Sequence, residues 1–192
     1  MSRGGPPPGT AVLAYEEAAL PPPLAAQIAA LEAQAWPGAT PGHDPALAPR
    51  AMVLLDGAGA VAASLALLFK EIRHAGRTYR AAGLSAVVTR ECARGRGYGG
   101  ALVAAARTVL AADPAVDLVL FSCDRPLVPF YEAAGFVPLP GAVLVGGTPG
   151  EPLATDAPGF DKQVMADVRG GEVSAFAGTR IALYPGPVDR LW

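Results

Sequence analysis

Between Arg94 and Gly100 the chain reads Arg-Gly-Arg-Gly-Tyr-Gly-Gly, and Gly95 to Gly100 matches the spacing G-x-G-x-x-G. Glycines let an anionic group approach the backbone closely. Where such a run follows a strand and opens a helix, unpaired backbone N–H groups and the positive end of the helix dipole converge on one point. The chemistry suited to that point is phosphate binding, with Arg94 and Arg96 beside it as cations. A lone motif of this kind is also compatible with a flexible basic turn. A dinucleotide fingerprint further requires a βαβ unit with an acidic residue closing the next strand. Asp124 nearly meets that requirement, but the loop follows hairpin-like strands and little chain remains for a doubly wound sheet.

Other reactive groups are sparse. Cys92 and Cys123 are the only cysteines and have no C-x-x-C spacing, so no disulfide framework is expected. His43 and His74 are the only histidines and have no neighbouring ligand pattern, so no metal site is expected. A net charge of −2 gives no electrostatic footprint for nucleic acid. Arginines do gather between Arg73 and Arg96, as a solvated hairpin edge would require. Hydrophobic residues make up 52% of the chain, but many are alanine and charged residues or glycine break every apolar run short of a membrane span. The Pro-rich N-terminus lacks the layout of a signal peptide, so the expectation is a retained, cytoplasmic protein.

The elements positioning the loop follow from periodicity and punctuation. Residues 1 to about 10 are expected to form a flexible extension, and 11–192 one domain, as the length allows. A first strand precedes an amphipathic helix from about Leu24 to Ala35, and a Pro/Gly/His loop runs from Pro37 to Pro49. "AMVLLD" and "AVAASLALLFKEIRHAG" read as antiparallel strands, and a tight turn at His74 to Arg77 leads to a third strand ending near Arg90. A helix over Ala101 to Asp113 is stopped by Asp113-Pro114. Val116 to Cys123 reads as a buried strand. A Pro-initiated helix then ends at Gly135, "FVPLPGAVLVGG" is strand-like, and one more strand lies near Asp161 to Asp167.

Set in this order, the residues resemble the GCN5-related N-acetyltransferase superfamily, whose coenzyme A loop has the form R/Q-x-x-G-x-G/A. Here that is Arg94-Gly95-Arg96-Gly97-Tyr98-Gly99, and "FYEAAGF", Phe130 to Phe136, resembles the family's second signature. The resemblance covers about Ser64 to Val145 and implies an α/β (α+β) fold: a mixed, mostly antiparallel sheet, split into a V and flanked by helices. It implies acetyl-CoA as cosubstrate and coenzyme A as product. The pantetheine arm would add like a strand to Val87, Val88 and Thr89, the pyrophosphate would sit on Arg94 to Gly99, and Ser122 would neighbour the thioester. Tyr131 would be the acid that protonates the departing thiolate, and a backbone N–H freed by a bulge within Val87 to Thr89 would be the oxyanion donor.

Within the superfamily, "LALLFKEIRHAGRTYRAAGLSAVVTRECARGRGYGGALV", the run Thr155 to Gly159 and a terminal tryptophan are similar to the aminoglycoside 2'-N-acetyltransferases, an antibiotic-resistance group. That implies a small-molecule amine substrate held by Asp44, Asp156 and the α-carboxylate of Trp192, with Asp161 a further carboxylate. One departure matters: the family's strand glutamate, a base acting through water, corresponds here to Ser85. A hydroxyl cannot accept an amine proton as a carboxylate does near neutral pH. Either another group takes over, with Glu71 and Glu91 as candidates, or the amine needs little base. Acetylation of another amine (a protein N-terminus, lysine or polyamine) and a non-catalytic acetyl-CoA sensor therefore stay open. So does a homodimer, because the alanine-rich surface offers no obvious seam.

Overall fold

A computed structural model describes residues 7–168 and 173–184. The expected flexible extension falls largely on residues 1–6, outside the described residues, as does Trp192. In chain order the elements are β1 (Ala11–Glu16), α1 (Pro22–Ala35), β2 (Arg50–Leu55), β3 (Val61–His74), β4 (Arg77–Thr89), α2 (Tyr98–Ala112) and β5 (Leu118–Asp124). After them come α3 (Val128–Ala133), β6 (Val137–Pro138), β7 (Val143–Gly147), β8 (Pro152–Ala154), β9 (Lys162–Val168) and β10 (Arg180–Ala182). Hydrogen-bonded strands follow the order β1-β2-β3-β4-β5-β9-β6, and a second sheet runs β10-β7-β8. The larger sheet is mixed and mostly antiparallel, as expected; its parallel pair, β4 with β5, is registered only at Ala81↔Leu118 and Ala82↔Val119.

The chain divides into two compact units. The first comprises the described residues through Leu68 together with Leu84–Thr108, and the second comprises Phe69–Gly83 and the described residues from Val109 onward.

In the first unit, β1 pairs with β2 from Ala11↔Leu55 to Glu16↔Arg50, and β2 pairs with β3 with a register shift between Leu54 and Leu55. α1 covers these strands through Ile28 and Leu31, which join Ala51, Val53, Val61 and Val88 in a buried apolar cluster. The helix begins at Pro22, two residues before the apolar pattern, because proline's fixed φ suits a first helical turn. Gln27 Oε1 accepts the Val61 N–H at 2.9 Å and ties the helix to β3. α2 begins at Tyr98, three residues before the expected Ala101, and carries Gly99 and Gly100 in its first turn despite their poor helix propensity.

In the second unit, β5 pairs with β9 along its whole length, from Leu118↔Val168 to Asp124↔Lys162. β5 begins at Leu118 instead of Val116 because a turn holds the preceding residues. Asp113 Oδ1 accepts the Ala115 N–H at 2.8 Å, and the Asp113 carbonyl accepts the Val116 N–H at 3.1 Å. The strand-like region after Gly135 divides at Pro140-Gly141 into β6 and β7, which belong to different sheets. β8 and β10, unexpected from sequence, flank β7. Thr155 fastens this sheet: its buried Oγ1 accepts the Leu144 N–H at 3.0 Å, and its backbone donates to the Leu144 carbonyl at 3.0 Å. The tight turn expected at His74 to Arg77 is present, with Ala75 and Gly76 both left-handed at φ 48° and 78°, as a two-residue hairpin loop requires. No helix among the described residues is long and apolar enough to cross a membrane.

Candidate functional site

The glycine loop joins β4 to α2 in the first unit. Gly95 and Gly97 take φ of +75° and +81°, a conformation L side chains rarely adopt. No atom lies within 4 Å of where a Cβ would stand at either residue, so the backbone faces open space. The first helical hydrogen bond is donated by Ala101 to the Gly97 carbonyl at 2.9 Å, so the amides of Tyr98, Gly99 and Gly100 precede the helical ladder. Arg94 and Arg96 are exposed beside them. Exposed left-handed glycines, a helix N-terminus and two cations fit a diphosphate group.

Three contacts fix where the loop starts. Arg90 donates its backbone N–H to the Ala62 carbonyl of β3 at 2.9 Å. Its guanidinium pairs with Asp56 in the turn after β2 and, with backbone donors, holds that carboxyl below the usual aspartate range. Arg94 Nε donates to the Thr89 carbonyl at 3.2 Å.

Upstream on β4, Ala86 is left-handed at φ +48°, an unusual state for a residue with a Cβ within a strand. This irregularity falls one residue before Val87, next to the segment expected to bulge. On its other side is Ser85, whose Oγ lies 3.2 Å from His43 Nε2. The other ring nitrogen, Nδ1, lies 2.7 Å from Glu17 Oε2, and Glu17 Oε1 accepts the His43 backbone N–H at 2.9 Å. Both side chains are largely enclosed, with 14% of His43 and 21% of Glu17 accessible. A carboxylate accepting from Nδ1–H fixes the tautomer that leaves an Nε2 lone pair toward Ser85.

Beside His43 is a cavity of about 100 Å³ bordered by Glu32, Trp36, His43 and Ala86. Burial pushes the Glu32 carboxyl above the ordinary glutamate range; the nearby His43 opposes the shift and Glu17 adds to it.

In the second unit, Ser122 lies on β5, paired with Val164 of β9. Tyr131 is buried in α3, edge-on to Phe121 at 4.8 Å between ring centroids. Burial first, then Cys123 and Asp124, push its phenol well above the usual tyrosine value, so it stays protonated across the neutral range. Burial and Asp124 likewise raise the Cys123 thiol to about 11.

No protein-family model matches the chain, and no curated protein sequence matches it significantly. Solved structures do match. Escherichia coli ElaA is similar with a TM-score of 0.58 at 16% identity, over 82% of this chain and 98% of that one. An acyl-CoA N-acyltransferase from Pseudomonas aeruginosa gives 0.58 at 17% identity, over 83% and 99%. Arabidopsis thaliana NAA60, solved in complex with a bisubstrate analogue, gives 0.57 at 12% identity, over 84% and 100%. The fold is that of the GCN5-related N-acetyltransferases.

Within this acetyltransferase fold, the residues expected from sequence in the first unit sit in one stretch of chain. Ser85, Val87, Val88 and Thr89 are on β4, and Arg94 to Gly99 form the loop and the first turn of α2. The three aspartates among the expected substrate carboxylates have partners. Asp44 caps its own short turn by accepting the Ala46 N–H at 2.9 Å, Asp156 pairs with Arg180 at 2.8 Å, and Asp161 pairs with Arg125 at 2.8 Å. Glu71 is exposed on β3 and Glu91 is exposed in the turn after β4. The groups that sequence reasoning missed are Glu17, Glu32 and His43 as a partner of Ser85. His43 lies 26 residues from Glu17 and 42 from Ser85, so no local spacing could reveal the trio.

Proposed function

We propose that this protein is an acetyl-CoA-dependent N-acetyltransferase acting on a primary amine of a small molecule by direct transfer. The observation that carries this reading is the loop Arg94 to Gly99, whose left-handed glycines open α2 immediately after the irregular end of β4. In this reading the loop amides hold the pyrophosphate, and the edge of Val87, Val88 and Thr89 receives the pantetheine amides. The amide following Ala86 is the oxyanion donor. Tyr131 takes the role of acid on the strength of its motif, and its buried phenol carries the proton that the role needs. Ser122 keeps its place near the thioester on the same sequence grounds.

The amine is the least constrained part. An aminoglycoside 2'-amine is supported by sequence resemblance, while the ion pairs of Asp156 and Asp161 leave fewer carboxylates for a polycation. The experiment is thiol release from acetyl-CoA with a panel of amines: aminoglycosides bearing a 2'-amine, matched ones bearing a 2'-hydroxyl, simple alkyl monoamines, and a peptide with a free N-terminus and lysine. Release that depends on an amine is the expected result. Turnover confined to the 2'-amine compounds selects the aminoglycoside branch, and turnover of the peptide selects a protein substrate. Acetyl-CoA binding with no amine-dependent release leaves a sensor and defeats the enzyme reading.

A further inference from the structure

We infer that Glu17, His43 and Ser85 form a proton relay that replaces the missing carboxylate base, with the substrate amine held beside His43 and Ala86, the neighbour of Ser85, and giving its proton to Ser85 Oγ. The inference rests on the acetyltransferase reading and deepens it. Both ring nitrogens of His43 are engaged, Nδ1 by Glu17 and Nε2 by Ser85. A proton therefore reaches the imidazole through the serine hydroxyl. Ser85 Oγ accepts a proton from the amine as it passes its own to His43 Nε2, while Nδ1–H stays on Glu17 and the imidazolium is held between them. The neutral amine then attacks the thioester carbonyl, the new C–N bond forms and the C–S bond breaks; the departing thiolate takes the proton of the acid, Tyr131, and the second proton lost by the amine nitrogen restores that phenol through solvent. The relay's proton leaves to solvent after transfer, so Ser85 and His43 return to their starting states and no covalent enzyme intermediate forms.

The surroundings suit an ammonium group. Glu32, Trp36, His43 and Ala86 border one small cavity. Burial raises the Glu32 carboxyl, and His43 beside it favours the ionised form. A cation in the cavity would favour its ionised form, and Trp36 offers an aromatic ring beside it. Glu17 bonds the imidazole and Glu32 couples to it electrostatically, while the neighbouring Asp44 accepts the Ala46 N–H of its own turn. A volume of about 100 Å³ takes one amino group with a short stem, which points to a single ammonium entering at a time.

The test compares His43→Gln, Ser85→Ala and Glu17→Gln with the unsubstituted protein, using the alkyl monoamine turned over fastest in the panel and, separately, hydroxylamine. Hydroxylamine is already neutral at pH 7 and needs no acceptor for a first proton. His43→Gln and Ser85→Ala are expected to lower kcat/KM for the alkylamine by roughly 10²–10⁴-fold, with smaller losses for Glu17→Gln. Coenzyme A affinity should be unchanged, and turnover of hydroxylamine nearly retained. The loss should shrink as pH approaches the alkylamine's own pKa.

Equal losses with both amines, or none with the alkylamine, overturn the relay while the acetyltransferase reading stands. A mass gain of one acetyl group on the protein, retained without amine and absent in Ser85→Ala, also overturns it by making the serine a nucleophile. No amine-dependent turnover by the unsubstituted protein defeats the acetyltransferase reading and the relay together. Melting temperatures identify any variant that fails to fold, and the other two substitutions then decide the matter.

Discussion

Replacing Gly97 by alanine tests the loop without introducing a clash. Its φ is +81° and a Cβ there would meet nothing within 4 Å, so the cost is conformational. An L residue in the left-handed region costs about 1–2 kcal/mol. The smaller unfolded-state entropy of alanine offsets about 0.4–1 kcal/mol of that. The net loss of stability is about 1 kcal/mol, a fall in Tm of about 2–4 °C for a chain of this size. If the loop instead relaxes out of the left-handed state, the amides that follow it turn away from the phosphate. Losing one charge-assisted hydrogen bond costs about 1.5–3 kcal/mol, which weakens coenzyme A roughly ten- to hundredfold. Calorimetric titration with coenzyme A and with phosphate-free pantetheine separates the two effects: only the coenzyme should lose affinity. Gly150→Ala is the control, since its Cβ also meets open space but its φ is ordinary. Gly97→Ala with unchanged melting and unchanged coenzyme affinity would refute the reasoning.

Three further outcomes are expected. Tyr131→Phe should keep coenzyme affinity and melt close to the unsubstituted protein, yet slow thiol release roughly 10²–10⁴-fold; stopped-time thiol assays beside titration check this. Phe121→Ala removes a fully buried ring that meets both Tyr131 and Phe136 edge-on, and should cost about 3–5 kcal/mol by urea unfolding. Asp56 has its folded pKa lowered mainly by Arg90, so its stabilisation is present above the unfolded aspartate range and lost as pH falls through the folded value. Asp56→Asn should therefore lower the urea midpoint at neutral pH, with the gap closing in acid.

The parts of the fold that the sequence displayed are those carried by local signals. The glycine loop, the Ala75-Gly76 turn and the apolar runs of β2, β3 and β5 each announce themselves within a few residues. β8 and β10 did not, because three-residue segments become strands only through pairing with β7. Helix starts were misplaced for opposite reasons: Pro22 is a good first-turn residue that looks like a breaker, and Gly99 and Gly100 are poor helix formers held by the helix that follows them. The phosphate half of the candidate site was legible because one contiguous motif holds it. The trio of Glu17, His43 and Ser85 was not, because it draws on a turn after β1, a Pro/Gly loop and β4. Thr155 opens the run that resembles the aminoglycoside 2'-N-acetyltransferases, and the structure gives its hydroxyl a backbone partner in β7.

Acetyl transfer to an amine is the central claim, and its most direct test follows both products in one reaction. Thiol release and N-acetylated amine would be quantified together by absorbance and mass spectrometry, while acetyl-CoA and the best amine of the panel are varied. Equimolar thiol and acetylated amine, with intersecting initial-velocity lines, are expected for direct transfer in a ternary complex. Thiol release that ignores the amine, or thiol formed without acetylated amine, would contradict the account.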